Sequence, residues 1–212
     1  MALLIDRARD DAPALVLAHG AGAPMDSGFL QRLSELLCEL GINVGRFEFP
    51  YMVERRLNGK KRPPNRQSEL IQAWHAALAM AKQEFNGPVF IGGKSLGGRM
   101  AAVLAADISV PGVICFGYPF HPPAKPDKLR VDTLQQLPCE TLIIQGTRDK
   151  LGDRQEVTGY ALPENIALQW LEDGDHDFKP RVRSGYSQEQ HIATAARAAA
   201  DFIVSTTVRS LT

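Results

Sequence analysis

Ser95, Asp149 and His176 have the types and the chain order needed to activate a hydroxyl group. A serine is a poor nucleophile until a base takes its proton, and the base needs an acid to orient it. Ser95 stands in Gly93-Lys94-Ser95-Leu96-Gly97, a G-x-S-x-G pattern. That pattern presents a nucleophile on a sharp strand-to-helix turn. Gly93-Lys94-Ser95 also reads as the end of a phosphate-binding loop, but that motif needs a glycine five places before Gly93. Pro88 is there instead, and the apolar run Val89-Phe90-Ile91 leaves no room for a phosphate cradle.

Among the histidines, His75 lies inside a helical pattern and His191 starts one. His121 precedes Asp149, and His19 precedes the serine, where an oxyanion loop belongs. His176 therefore fits the base. Asp149 follows an apolar strand and fits the acid. Asp173, Asp175 and Asp177 crowd His176 in sequence and leave the acid ambiguous. An acyl-transfer intermediate needs two donors aimed at its oxyanion. Leu96, directly after the nucleophile, supplies one backbone N–H. The small-residue run His19-Gly20-Ala21-Gly22 supplies the other, from Ala21 first and Gly22 second.

Those residues need a frame that brings them to one edge. Short apolar runs at 14–18, 42–49, 89–92, 112–117, 141–145 and 166–171 read as strands. Helical spacing falls between them, at 29–40, 70–81 and 96–106. Ser187 and Gln190 match a capping box opening a last helix. Pro50 reads as a strand stop, and 54–66 as an irregular polar loop. The alternation predicts an α/β fold: a doubly wound, mostly parallel sheet with helices on both faces. Ligands gather at the carboxyl ends of such strands. The chain of 212 residues, 44% of them hydrophobic, reads as one domain over 1–212.

Twenty-four basic and 24 acidic residues balance, so net charge points to neither nucleic acid nor membrane. No apolar run is long enough for a membrane span or a signal-peptide core. Three cysteines without C-x-x-C pairing read as buried thiols in a reducing compartment, so a cytoplasmic location is expected. No His/Cys cluster has metal-ligand spacing, and no metal or other cofactor is expected. Arg55, Arg56, Lys60, Lys61, Arg62 and Arg66 put six bases into twelve positions. A solvated loop is one reading of that run. Another makes Lys60, Lys61 and Arg62, with His121 nearby, a substrate rim that attracts anions. No aromatic residues interleave the bases, which disfavours nucleic acid.

Together HGAGAPMDS, GGKSLGGRMAA, GYPFHPP, QGTRD and DGDHDFKP resemble the α/β-hydrolase superfamily, over roughly 15–178. More narrowly they are similar to small, lidless hydrolases related to dienelactone hydrolases. They are also similar to hydrolase-like domains of nonspecific-lethal complex subunits and testis-expressed proteins. The resemblance implies a minimal fold without a cap domain, a Ser95-His176-Asp149 triad and an oxyanion hole at Ala21 and Leu96. The triad points to an ester or related acyl substrate and an acyl-enzyme, and the lack of room for a cap to a small acyl group. The usual first hairpin is mostly missing, and dienelactone hydrolases carry cysteine where Ser95 stands. The complex-subunit likeness leaves a non-catalytic binding or scaffold module, with a protein partner, as the alternative.

Overall fold

A computed structural model describes residues 2–209. The strands are β1 (Leu4–Asp6), β2 (Ala14–Ala18), β3 (Asn43–Phe47), β4 (Val89–Lys94), β5 (Gly112–Phe116), β6 (Glu140–Gly146) and β7 (Ile166–Leu171). They form one sheet in the order β1-β3-β2-β4-β5-β6-β7. All neighbours are parallel except β1, which runs antiparallel to β3 at the edge. The helices are α1 (Gly28–Glu39), α2 (Pro50–Asn58), α3 (Gln67–Glu84), α4 (Leu96–Ala105), α5 (Asp132–Gln135), α6 (Arg154–Val157) and α7 (Gln188–Arg209). No cap domain interrupts this frame among the described residues, and no helix there is long and apolar enough to cross a membrane.

The central strands are continuous apolar runs because both faces of the sheet are covered. Their side chains alternate between two cores. Val16, Ile91, Val113 and Ile143 pack with Trp74, Ala77 and Met100 of α3 and α4. Leu15, Leu17, Phe90, Ile114 and Ile144 pack with Leu33, Leu37, Ala196 and Ala199 of α1 and α7. The expected box opens α7: the Gln190 N–H donates to Ser187 Oγ at 3.2 Å, and the Ser187 N–H donates to Gln190 Oε1 at 2.8 Å.

The structure departs from the sequence expectations in several places. Pro50 ends no element; it occupies the first turn of α2, where its missing N–H costs nothing. Asn58 is the last residue of that helix, so only 59–66 of the polar stretch is irregular. The strand β1 was not anticipated. It is three residues long, at a sheet edge and only partly buried.

Candidate active site

β4 continues through Lys94 directly into Ser95. Ser95 has φ 52° and ψ −112°, a backbone state that L residues adopt rarely and that the surrounding structure must hold. Glycine is required on either side. A Cβ on Gly93 would lie 2.3 Å from the Ala18 carbonyl oxygen, and one on Gly97 would lie 2.2 Å from the same atom. The crowding comes from the end of β2 as well as from the turn itself.

The turn sets Ser95 Oγ 2.8 Å from His176 Nε2. His176 Nδ1 lies 2.7 Å from Asp149 Oδ2. Asp149 is fully buried. Its Oδ1 accepts from the Leu151 N–H at 2.8 Å, and its Oδ2 also accepts from Gln145 Nε2 at 3.0 Å. Its two partners of fixed role, the Leu151 N–H and Gln145 Nε2, are both donors, as a carboxylate requires. An ionised Asp149 only accepts, so Nδ1 carries the imidazole proton and Nε2 is left to accept from Ser95.

The neighbouring aspartates are committed elsewhere. Asp173 accepts from the Arg181 N–H at 2.8 Å and from its guanidinium, and pairs with Arg148 at 3.0 Å. Hydrogen bonding from Arg181 holds the Asp173 carboxyl down at about 2. Asp175 ties its own loop, accepting from the N–H groups of Asp177 and Lys179 at 2.9 Å each. Asp177 faces Lys94 at 3.3 Å.

A cavity of about 540 Å³ opens over Ser95 and His176. Its walls include Gly20, Ala21 and Gly22 of the expected oxyanion loop, with Phe29 and Leu30 of α1. The Ala21 and Gly22 N–H groups have no hydrogen-bond acceptor among the described residues. Leu96 is the first residue of α4, where backbone N–H groups lack an intrahelical partner. The structure thus brings all six of these expected residues, Ser95, His176, Asp149, Ala21, Gly22 and Leu96, to one sheet edge.

Two further side chains serve this arrangement without having been assigned a part. Gln145 closes the apolar run Thr141–Ile144 and fastens Asp149 to the Tyr118 and Gly152 carbonyls. Lys94 is buried, yet its Nζ donates to the His176 carbonyl at 2.7 Å and sits over the Phe29 and Phe178 rings. Burial pushes its pKa down. The signal for each was a polar residue ending an apolar strand.

The expected rim lies elsewhere. None of Lys60, Lys61, Arg62 or His121 is among the residues lining the cavity. In space the basic run meets acids, two of them from outside the stretch. Arg56 pairs with Asp26 at 2.8 Å and Glu48 at 2.5 Å, and Arg62 pairs with Glu54 at 2.6 Å. His121 is turned inward and buried, with Nε2 3.3 Å from Glu156. None of residues 120–126 lines the cavity; Phe29 and Leu30 of α1 supply the apolar wall.

Among the described residues no group of His, Cys, Asp or Glu is placed to hold a metal ion. The three cysteines are free thiols, and burial pushes each of their pKa values up.

Solved structures share this fold at low identity. A lidless α/β serine hydrolase from Xanthomonas campestris superposes with a TM-score of 0.68 at 19% identity, covering 92% of this chain and 88% of that one. A dienelactone hydrolase from Anabaena variabilis gives 0.69 at 18% identity, covering 94% and 89%. A structure described as a putative hydrolase of the alpha/beta superfamily, from Xanthomonas campestris pv. campestris, gives 0.60 at 22%, covering 91% and 98%. The family model described as "Alpha/beta hydrolase domain" matches residues 11–204, and the chain belongs to that family.

Proposed function

We propose that this protein is a serine hydrolase that cleaves small esters or related acyl compounds through an acyl-enzyme. The observation that carries the reading is the unbroken hydrogen-bond chain from Ser95 through His176 to Asp149. Ser95 Oγ attacks the acyl carbonyl while its proton passes to His176 Nε2. The buried Asp149 carboxylate stabilises the imidazolium. The tetrahedral oxyanion is received by the backbone N–H groups of Leu96 and of Ala21 or Gly22. As the acyl–oxygen bond breaks, His176 returns the proton to the departing alcohol. Water then repeats the sequence on the acyl-enzyme, releasing the acid and restoring Ser95.

A serine-directed fluorophosphonate tests this directly. The folded protein should take up one label, on Ser95, and heat-denatured protein none. Failure to label the folded protein would favour the alternative of a binding or scaffold module that does not use its triad.

The cavity also bounds the substrate. Its apolar wall is small: Ala21, Ala23, Phe29 and Leu30. A long acyl chain finds little surface to bury, and each methylene left in water forfeits about 0.8 kcal/mol. We expect kcat/KM to peak at acetyl to butyryl esters and to decline for longer chains. Equal or greater kcat/KM on dodecanoyl esters would contradict this.

A further inference from the structure

The segment Gly20–Gly22 forms one wall of the cavity, and Tyr51 and Arg55 of α2 reach it from behind. Each of its three carbonyl oxygens faces a side chain of α2 within hydrogen-bond reach. The Tyr51 hydroxyl lies 3.3 Å from the Gly20 carbonyl oxygen and 3.2 Å from that of Ala21. Arg55 Nη1 donates to the Gly22 carbonyl at 2.9 Å. His19 adds a contact whose direction is settled by its neighbours. The Phe49 N–H donates to His19 Nε2 at 3.1 Å, so Nδ1 carries the proton and donates to the Gly20 carbonyl at 2.6 Å.

A trans peptide points its C=O and the next N–H in opposite directions. No peptide among the described residues is cis. Holding the Gly20 and Ala21 carbonyls toward α2 therefore turns the Ala21 and Gly22 N–H groups away from α2. Tyr51 does not line the cavity, whereas Ala21 and Gly22 do. The loop is small-residue chain without regular structure, and such chain has other peptide orientations open to it. A flip of either peptide would put a carbonyl where an oxyanion must sit.

We propose that Tyr51, seconded by Arg55, is a positioning residue that presets the oxyanion hole by fixing the peptide orientations of Gly20–Gly22. The proposal rests on the serine-hydrolase reading of the site. It also gives the basic run a purpose within the fold. Arg55 holds the loop, and Arg56 ties α2 to Asp26 just beyond it. Asn65, at the far end of the irregular stretch, accepts from the Tyr51 N–H at 2.8 Å and keeps that residue in place.

Tyr51→Phe keeps the ring beside His19 and Phe49 and removes only the hydroxyl. On p-nitrophenyl acetate we expect kcat about tenfold lower with KM changed by less than about twofold, the size of one neutral hydrogen bond expressed in the transition state. An aryl trifluoromethyl ketone, which forms a tetrahedral adduct with an oxyanion, should bind about tenfold more weakly. Arg55→Ala, at a partly exposed site, should lower kcat about threefold with the same pattern, and it decides the matter if Tyr51→Phe does not fold. Unchanged kcat and unchanged ketone affinity would overturn the proposal while the labelled wild type keeps the hydrolase reading intact. A loss seen only in thermal stability or only in KM would overturn it too. A wild type that neither labels nor turns over would remove the hydrolase reading, and this proposal with it.

Discussion

Ser95→Ala should reduce kcat/KM on a small activated ester by about three orders of magnitude or more. The expectation follows from what the substitution removes and what it leaves. It deletes one oxygen, whose hydrogen bond is to His176 Nε2. It keeps the Cβ, so the positive φ at this position costs the variant about what it costs the wild type. The glycines against the Ala18 carbonyl, the strand β4 and the helix α4 are untouched. Folding should therefore survive, with thermal unfolding close to wild type, and the loss of rate reads on chemistry alone. The oxyanion donors remain, so a residue of rate above the uncatalysed reaction should persist. Initial rates on p-nitrophenyl acetate, with an unfolding scan on the same preparations, make the comparison. A variant that hydrolyses as fast as wild type would assign the activity to some other nucleophile.

The elements that were legible in the sequence are those whose burial leaves a pattern. β2 and β5 are buried along their whole length, and such runs stand out between turn residues. The triad was legible because Ser95 directly follows an apolar strand and Asp149 and His176 lie in the short loops after the last two strands. What was not legible depends on contacts between distant segments. Of the nine residues of α2 only Tyr51 and Met52 are buried, so no helical stripe announces it. The four-residue helices α5 and α6 are too short for any period. The basic run looked unopposed because two of its acids, Asp26 and Glu48, come from the loops before α1 and before α2, and the third, Glu54, stands just ahead of it. His121 follows the end of β5, as a site residue would, but its side chain is buried beside Glu156. The acid beside His176 could not be chosen by proximity in sequence, since Asp173, Asp175 and Asp177 are all nearer along the chain than Asp149.

Asp149→Asn should lower kcat by about three to four orders of magnitude, although it changes one oxygen into a nitrogen of the same size. Three donors converge on two carboxylate oxygens: the Leu151 N–H on Oδ1, and Gln145 Nε2 with His176 Nδ1 on Oδ2. An asparagine must present its NH2 to one side or the other. Facing Leu151, it sets two donors against each other in a fully buried place. Facing His176, it donates to Nδ1 and drives the imidazole proton to Nε2. That nitrogen then cannot take the proton of Ser95. Gln145 could turn its unpartnered Oε1 toward the new NH2, but its amide would surrender the Tyr118 and Gly152 carbonyls. Either arrangement also removes the charge that stabilises the imidazolium. A buried polar mismatch of this kind costs about 1–3 kcal/mol, so the variant should also unfold at lower temperature. Asp173→Asn is the contrast. Its carboxylate serves Arg181 and Arg148, so stability should fall while kcat stays within a few-fold of wild type. Measuring kcat and thermal unfolding for both variants separates orientation of the base from anchoring of its loop. If Asp149→Asn retained wild-type kcat, or if a folded Asp173→Asn lost as much, the acid of this site would have to be reassigned.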